Sequence, residues 1–211
     1  MCLSSPSPAD ESQLAKLGFT AQLFAYTGVA MLEGAAAAHP LGVRSEAGSR
    51  KYFAGMTALA VHLAPKGWTA EGALEALTNP ARTISVAVVQ GDSGVGVPSK
   101  AMGARRPRGA ATISWVTRNG SQLSMTSIAP PPKEKRSPLL YMLVHYAALG
   151  VMRMELALPA AIGPDGQVTR WASRIQLGSF GFGQDDTTTR FDFPDDTPNG
   201  GGLRPITLVP R

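Results

Sequence analysis

Apolar positions change their spacing at Gly150. From Pro138 to Leu149 nearly every residue is apolar, with only His145 ionisable near neutral pH, and this predicts a helix buried on most sides. Gly150 is placed to close that helix in the left-handed conformation. Beyond it Met152, Met154, Leu156 and Leu158 alternate with Arg153 and Glu155, the pattern of a half-buried strand. The segment from Ser137 to Leu158 thus reads as a core helix feeding a core strand.

Upstream, the spacing is helical. Asp10 or Ser12 can cap a helix over 14–38, where Leu14, Leu17, Leu23, Val29 and Leu32 are loosely periodic and Gly18 and Gly28 interrupt. Gly28 marks either a break or a close helix contact. A second helix is predicted from Ser45 to about Ala64, stopped by Pro65, and a third, short one over Ala70 to Leu77. Thr69 would cap this third helix, Glu71 would sit at its positive end, and Asn79-Pro80 would stop it.

After residue 82 the character turns to strand. Thr83 to Gln90 is β-branched and bounded by Gly91-Asp92, and 91–109 is a long Gly/Pro/Arg loop. Ala110 to Thr117 and Gln122 to Ile128 read as strands joined by an Asn119-Gly120 hairpin turn. The strand after Gly150 meets a turn signal at Gly163-Pro164-Asp165-Gly166, with Val168 to Leu177 returning as its partner. The fold expected is α+β: an N-terminal helical layer followed by an antiparallel sheet of about five strands around a central buried helix. The organisation expected is a flexible arm over 1–9, one domain over 10–180 with a helical part (10–81) and a sheet part (82–180), and a Gly/Asp-rich tail over 181–211.

Composition adds little until charge is mapped. The chain of 211 residues is 44% hydrophobic and 17% charged, enough apolar content for a substantial core. The single cysteine, Cys2, excludes an intramolecular disulfide framework and a cysteine-rich zinc site. The N-terminus has neither a basic start nor an apolar run, so an intracellular protein is expected. The apolar stretch over 138–149 is too short to span a bilayer, so no membrane partner is expected. The excess of positive charge is local: residues 82–136 hold nine Lys/Arg against two Asp/Glu, whereas each flanking region is slightly acidic.

Motifs of catalysis and ligation were weighed against plainer readings. Gly91-Asp92-Ser93-Gly94 matches the surroundings of a serine nucleophile, but His39 and His62 fall at the end of one predicted helix and inside another, so a glycine-rich turn after a strand is expected. A phosphate loop would need a lysine after its last glycine, where Val97 stands. The three histidines are far apart in sequence, and His145 reads as a satisfied core histidine. Asp185, Asp186, Asp192, Asp195 and Asp196 read as solvated tail residues, and Asn119-Gly120-Ser121 as the hairpin turn rather than a glycosylation site. Neither a catalytic site nor a metal or other cofactor is expected.

The basic loops are the feature with chemistry. Lys100, Arg105, Arg106 and Arg108 are interleaved with prolines and glycines, and Arg118, Lys133, Lys135 and Arg136 are expected from neighbouring loops of the same sheet. Several guanidinium and ammonium groups together grip phosphates with salt-dependent, sequence-independent affinity. Ala, Pro and Ser together make about three residues in ten, above ordinary usage. In this composition, taken over the whole chain and without a shared motif, the sequence resembles the proline-alanine-serine-rich proteins that coat the double-stranded RNA of polymycoviruses. The expectation is a non-enzymatic nucleic-acid-binding structural protein, such as a viral coat or nucleoprotein. It would package RNA rather than DNA, self-associate as a homo-oligomer through its two ends, and be cytoplasmic or virion-associated. The alternatives are a protein-interaction or assembly module whose basic loop meets an acidic protein, and an enzyme whose site is assembled from distant residues.

Overall fold

A seven-stranded mixed sheet, ordered β1-β7-β6-β5-β4-β3-β2, forms the middle layer of the protein. The structure, a computed structural model, describes residues 2–43, 45–71, 76–125, 137–148 and 150–181. The strands are β1 (Cys2–Ser4), β2 (Thr69–Glu71), β3 (Ala76–Thr78), β4 (Ile84–Gln90), β5 (Leu139–Ala148), β6 (Val151–Ile162) and β7 (Val168–Gly181). Every neighbouring pair is antiparallel except β4 and β5. A parallel pair requires the chain to cross back over the sheet, and helix α4 (Ala110–Met125) makes that crossover. The α+β class is as the sequence predicts, with a mixed sheet in place of a purely antiparallel one.

The central element is a strand, not the helix expected over 138–149. β5 is flanked on both edges, by β4 in parallel and β6 in antiparallel register, and covered on both faces. Tyr141 and Leu143 enter one core and Leu140, Met142 and Val144 the other. Both faces are therefore apolar and the period of two is erased, leaving an unbroken apolar run that periodicity cannot tell from a buried helix. Gly150 does take a left-handed φ of 74°, but it turns the β5–β6 hairpin instead of ending a helix.

The expected strand pair at 110–128 is replaced by α4 over its described part. Thr112, Val116 and Asn119 are buried at helical spacing, and packing on β5 and β6 overrides the β-branched composition. Asn119-Gly120 is therefore no turn. The Asn119 side chain is buried, donating from Nδ2 to the carbonyls of Leu140 (2.9 Å) and Pro159 (3.0 Å) and accepting from the Leu140 N–H (3.0 Å). At Gly120 a Cβ would stand 2.5 Å from the Ala160 carbonyl oxygen, so the glycine allows the helix to lie against β6. The short helix expected over 70–77 is likewise replaced by β2 and β3, which pair with each other.

Helices α1 (Pro8–Lys16), α2 (Ala21–Ala36) and α3 (Glu46–Leu63) cover one face of the sheet. The single helix expected over 14–38 is thus two, divided at Gly18, whose φ is 79°. Ser7 and Thr20 cap α1 and α2 by accepting from Asp10 N–H and Leu23 N–H. Gly28 is a close contact: a Cβ there would stand 2.9 Å from the Phe180 ring and 3.1 Å from Met154 Sδ, on β7 and β6. Phe24, Met31, Leu59, Leu143, Met152 and Phe180 fill the core beneath this layer.

The other face is covered by α4 and the 91–109 loop, whose Val95 and Met102 join Val116, Leu140, Met142 and Val144 in a second core. The expected arm over 1–9 is a correction too. Residues 2–4 pair with β7, Cys2 opposite Phe180 and Ser4 opposite Ser179, because β7 otherwise ends the sheet with unpaired backbone groups. The expected tail lies outside the described residues from 182 onward, as does the 126–128 end of the expected second strand. Among the described residues no helix is long and apolar enough to cross a membrane.

Candidate nucleic-acid interface and a buried cation cluster

The 91–109 loop is long, yet held at many points. It leaves β4 at Gly91, which bridges to Ala104, and Asp92 closes its base: the carboxylate accepts from Gly94 N–H (2.8 Å) and Gly103 N–H (2.9 Å). Gly94 leaves no room for a side chain against the Ala101 carbonyl. From the sheet, Trp171 donates its indole N–H to Met102 O (2.8 Å), and Arg153 donates to Ser93 O (3.1 Å) while its guanidinium lies 5.3 Å from the Tyr146 ring centre.

Glu155 and Arg174 make the main clamp. Glu155, on β6, is fully buried and takes a forked pair of bonds from Arg174 on β7, both 2.7 Å. Its Oε1 also accepts from Gly96 N–H (2.6 Å), while Arg174 reaches into the loop to the carbonyls of Lys100 (2.7 Å), Gly94 (3.1 Å) and Val97 (3.4 Å). The hydrogen bonds that Arg174 donates to Glu155 raise the pKa of Arg174, and the charges of Glu155 and Asp92 add to this. Both loop-side carboxylates are thus turned inward and spent on the loop's own backbone and on Arg174.

The predicted basic residues fall into three groups. Lys100, Arg105 and Arg106 are exposed on the loop surface. Arg108 is half-buried and turned inward, donating from Nη2 to Gln90 O (2.7 Å), so it is not part of that surface. Arg118, expected on a hairpin loop, is instead exposed on α4 with its guanidinium 4.4 Å from the Trp115 ring centre. Lys133, Lys135 and Arg136 lie outside the described residues.

Two residues join this region that charge patterning does not single out. Lys51 is buried on α3, and His145 is buried on β5. Burial, then the charge of Arg105, pushes Lys51 down to about 8; burial, then the charges of Lys51 and Arg108, holds His145 well below the usual histidine range. His145 Nδ1 and Arg108 Nε are buried without a hydrogen-bond partner among the described residues. His145 is therefore a core residue, as expected, but not a satisfied one. The signal for Lys51 was present: it shares the buried face of α3 with Gly55, Leu59 and Leu63, at successive steps of four residues, where a lysine is out of place.

The remaining motifs are structural in their contacts. Ser93 is exposed within a turn, while His39 accepts from Leu41 N–H and His62 stacks on Tyr26 at 4.4 Å, both within the helical layer. An open pocket of about 340 Å³ lies where α4 meets β6 and β7, lined by Leu123, Ser124, Ala160, Arg170, Trp171 and Ala172, with Arg170 its one ionisable group. Among the described residues no three His, Cys, Asp or Glu side chains are grouped to hold a metal ion. Comparison of the chain with protein-family models, with curated proteins and with solved structures finds no match in any of the three.

Proposed function

We propose that this protein is a non-enzymatic structural protein that binds RNA through its phosphate backbone and self-associates on it. The observation that carries this reading is the one-sided charge of the clamped loop: Lys100, Arg105 and Arg106 are exposed while Asp92 and Glu155 are turned inward. Such a surface attracts a polyanion without reading its sequence. Arg118 over Trp115 adds a planar cation and ring on the same outer layer. Changing Lys100, Arg105 and Arg106 together to Ala should reduce the slope of log affinity against log salt by about 2 for single-stranded RNA, on unrelated sequences alike. An unchanged slope removes the loop from the reading.

Self-association has a surface that the sequence did not suggest. Phe53 and Val61 are 61% and 58% exposed on α3, eight residues apart on its outer face, with Leu41 and Val43 exposed in the preceding connection. The same exposure favours a second reading, an assembly module that binds protein and no nucleic acid. The absorbance ratio of the purified protein before and after nuclease treatment separates the two: a ratio that falls on digestion favours the first.

A further inference from the structure

We propose that Lys51, Arg105, Arg108 and His145 form a binding site for a phosphate-class oxyanion at the carboxyl ends of β4 and β5. Three separate parts of the chain are brought there by backbone geometry. Gln90, the last residue of β4, is the register partner of His145, and the next residue, Gly91, donates its N–H to His145 O (2.9 Å). The loop then returns to the same strand end, where Arg105 N–H (3.3 Å) and Arg108 Nη2 (2.7 Å) both donate to Gln90 O. Lys51 enters from α3, which packs on β4.

The chemistry of the cluster is one-sided. Both charges acting on His145, those of Lys51 and Arg108, are positive, and Arg105 acts on Lys51 with the same sign. Arg108 spends Nη2 on a carbonyl but keeps Nε–H buried without an acceptor among the described residues, and His145 Nδ1 is likewise without a partner among them. A buried donor without an acceptor is costly, and a bound oxyanion would supply the acceptor here. A tetrahedral dianion supplies several acceptor oxygens and two negative charges, and Arg matches such oxygens through adjacent N–H groups. Lys51 and His145 are only 4% and 3% exposed, too deep for the backbone of a polynucleotide. The ligand is therefore a small phosphate-bearing molecule, and since Arg105 is shared with the RNA surface, variants of Arg108 and His145 are the ones that separate this site from the nucleic-acid reading.

Isothermal titration of the full chain with inorganic phosphate, sodium acetate and sodium chloride at matched ionic strength tests this, together with ¹⁵N spectra of the histidine rings. Phosphate should bind saturably at one site per chain and shift the His145 ring resonances, with acetate at least tenfold weaker and chloride inert. Arg108→Lys, which keeps the charge and loses the fork, and His145→Gln should each weaken phosphate at least tenfold, while Arg170→Gln leaves it unchanged. Phosphate binding no tighter than acetate, or undiminished in Arg108→Lys, overturns the assignment. Should those variants not fold, the wild-type spectra decide, and a His145 ring that ignores phosphate overturns it equally.

Discussion

Two buried polar clusters flank the 91–109 loop, and they differ in how their charge is balanced. Beneath the loop, Glu155 is matched by Arg174, and its remaining capacity is filled by Gly96 N–H. At the strand ends the cations Lys51 and Arg108 act on His145, which their charges and burial keep from protonating, and two buried nitrogen atoms have no partner among the described residues. The first cluster is complete within the chain and fixes a loop that has no regular secondary structure of its own. The second leaves those two atoms to be matched, which is why we assign it a ligand whereas the first explains itself as structure. Burial of charge alone does not separate structural from functional polar groups; the separation comes from whether the partner is present.

Breaking the balanced cluster should cost most. Arg174→Met leaves Glu155 buried and unmatched and frees three loop carbonyls, and should destabilise by about 3 to 5 kcal/mol, read as a shift of the denaturant midpoint. A loss below about 1 kcal/mol would mean that the pair is as unimportant as a surface ion pair.

The cation cluster should show itself in the pH dependence of stability. Because Lys51 titrates at about 8 when folded and 10.5 is its ordinary value, the unfolded chain holds more protons between those limits. The Lys51 contribution to wild-type stability should therefore rise from about pH 8 to 10.5, and Lys51→Met should lack that rise. Denaturant midpoints across that range, wild type against variant, check it.

The acid side is the smallest effect and the finest discriminator. Burial and the neighbouring cations hold folded His145 well below the ordinary 6.5, so below that pH the unfolded chain takes up a proton that the folded chain refuses. Stability should fall with decreasing pH by up to about 1.4 kcal/mol per unit from this group, and His145→Gln should flatten that slope. Equal slopes in both proteins would place His145 in a milder setting than its neighbours imply.

Much of the chain was legible where one face is dry and the other wet. Helix α3 and the β6–β7 hairpin were legible on that ground, β4 from its β-branched run and the long loop from its glycines and prolines, and Gly150 is left-handed as expected. The misreadings share a cause. β5 has no wet face, so its period vanished; α4 carries its period in Thr112, Val116 and Asn119, polar or β-branched residues that a strand also favours. In the site, local charge density pointed to Lys100, Arg105 and Arg106, whereas Lys51 lies 54 residues before Arg105 and His145 lies 37 residues after Arg108, and only folding brings them together.

By itself the sequence determined the α+β class, the excess of positive charge between 82 and 136, the left-handed Gly150 and the turn at 163–166, since each of these rests on neighbouring residues and local conformational preference. The tertiary structure alone decided that an apolar run would be the central strand and that Asn119 would pin a helix to two strands. It also decided which basic side chains face outward and which turn into a cluster. Those outcomes depend on what a segment packs against, and the free energy of burying a group is set by partners distant in the chain.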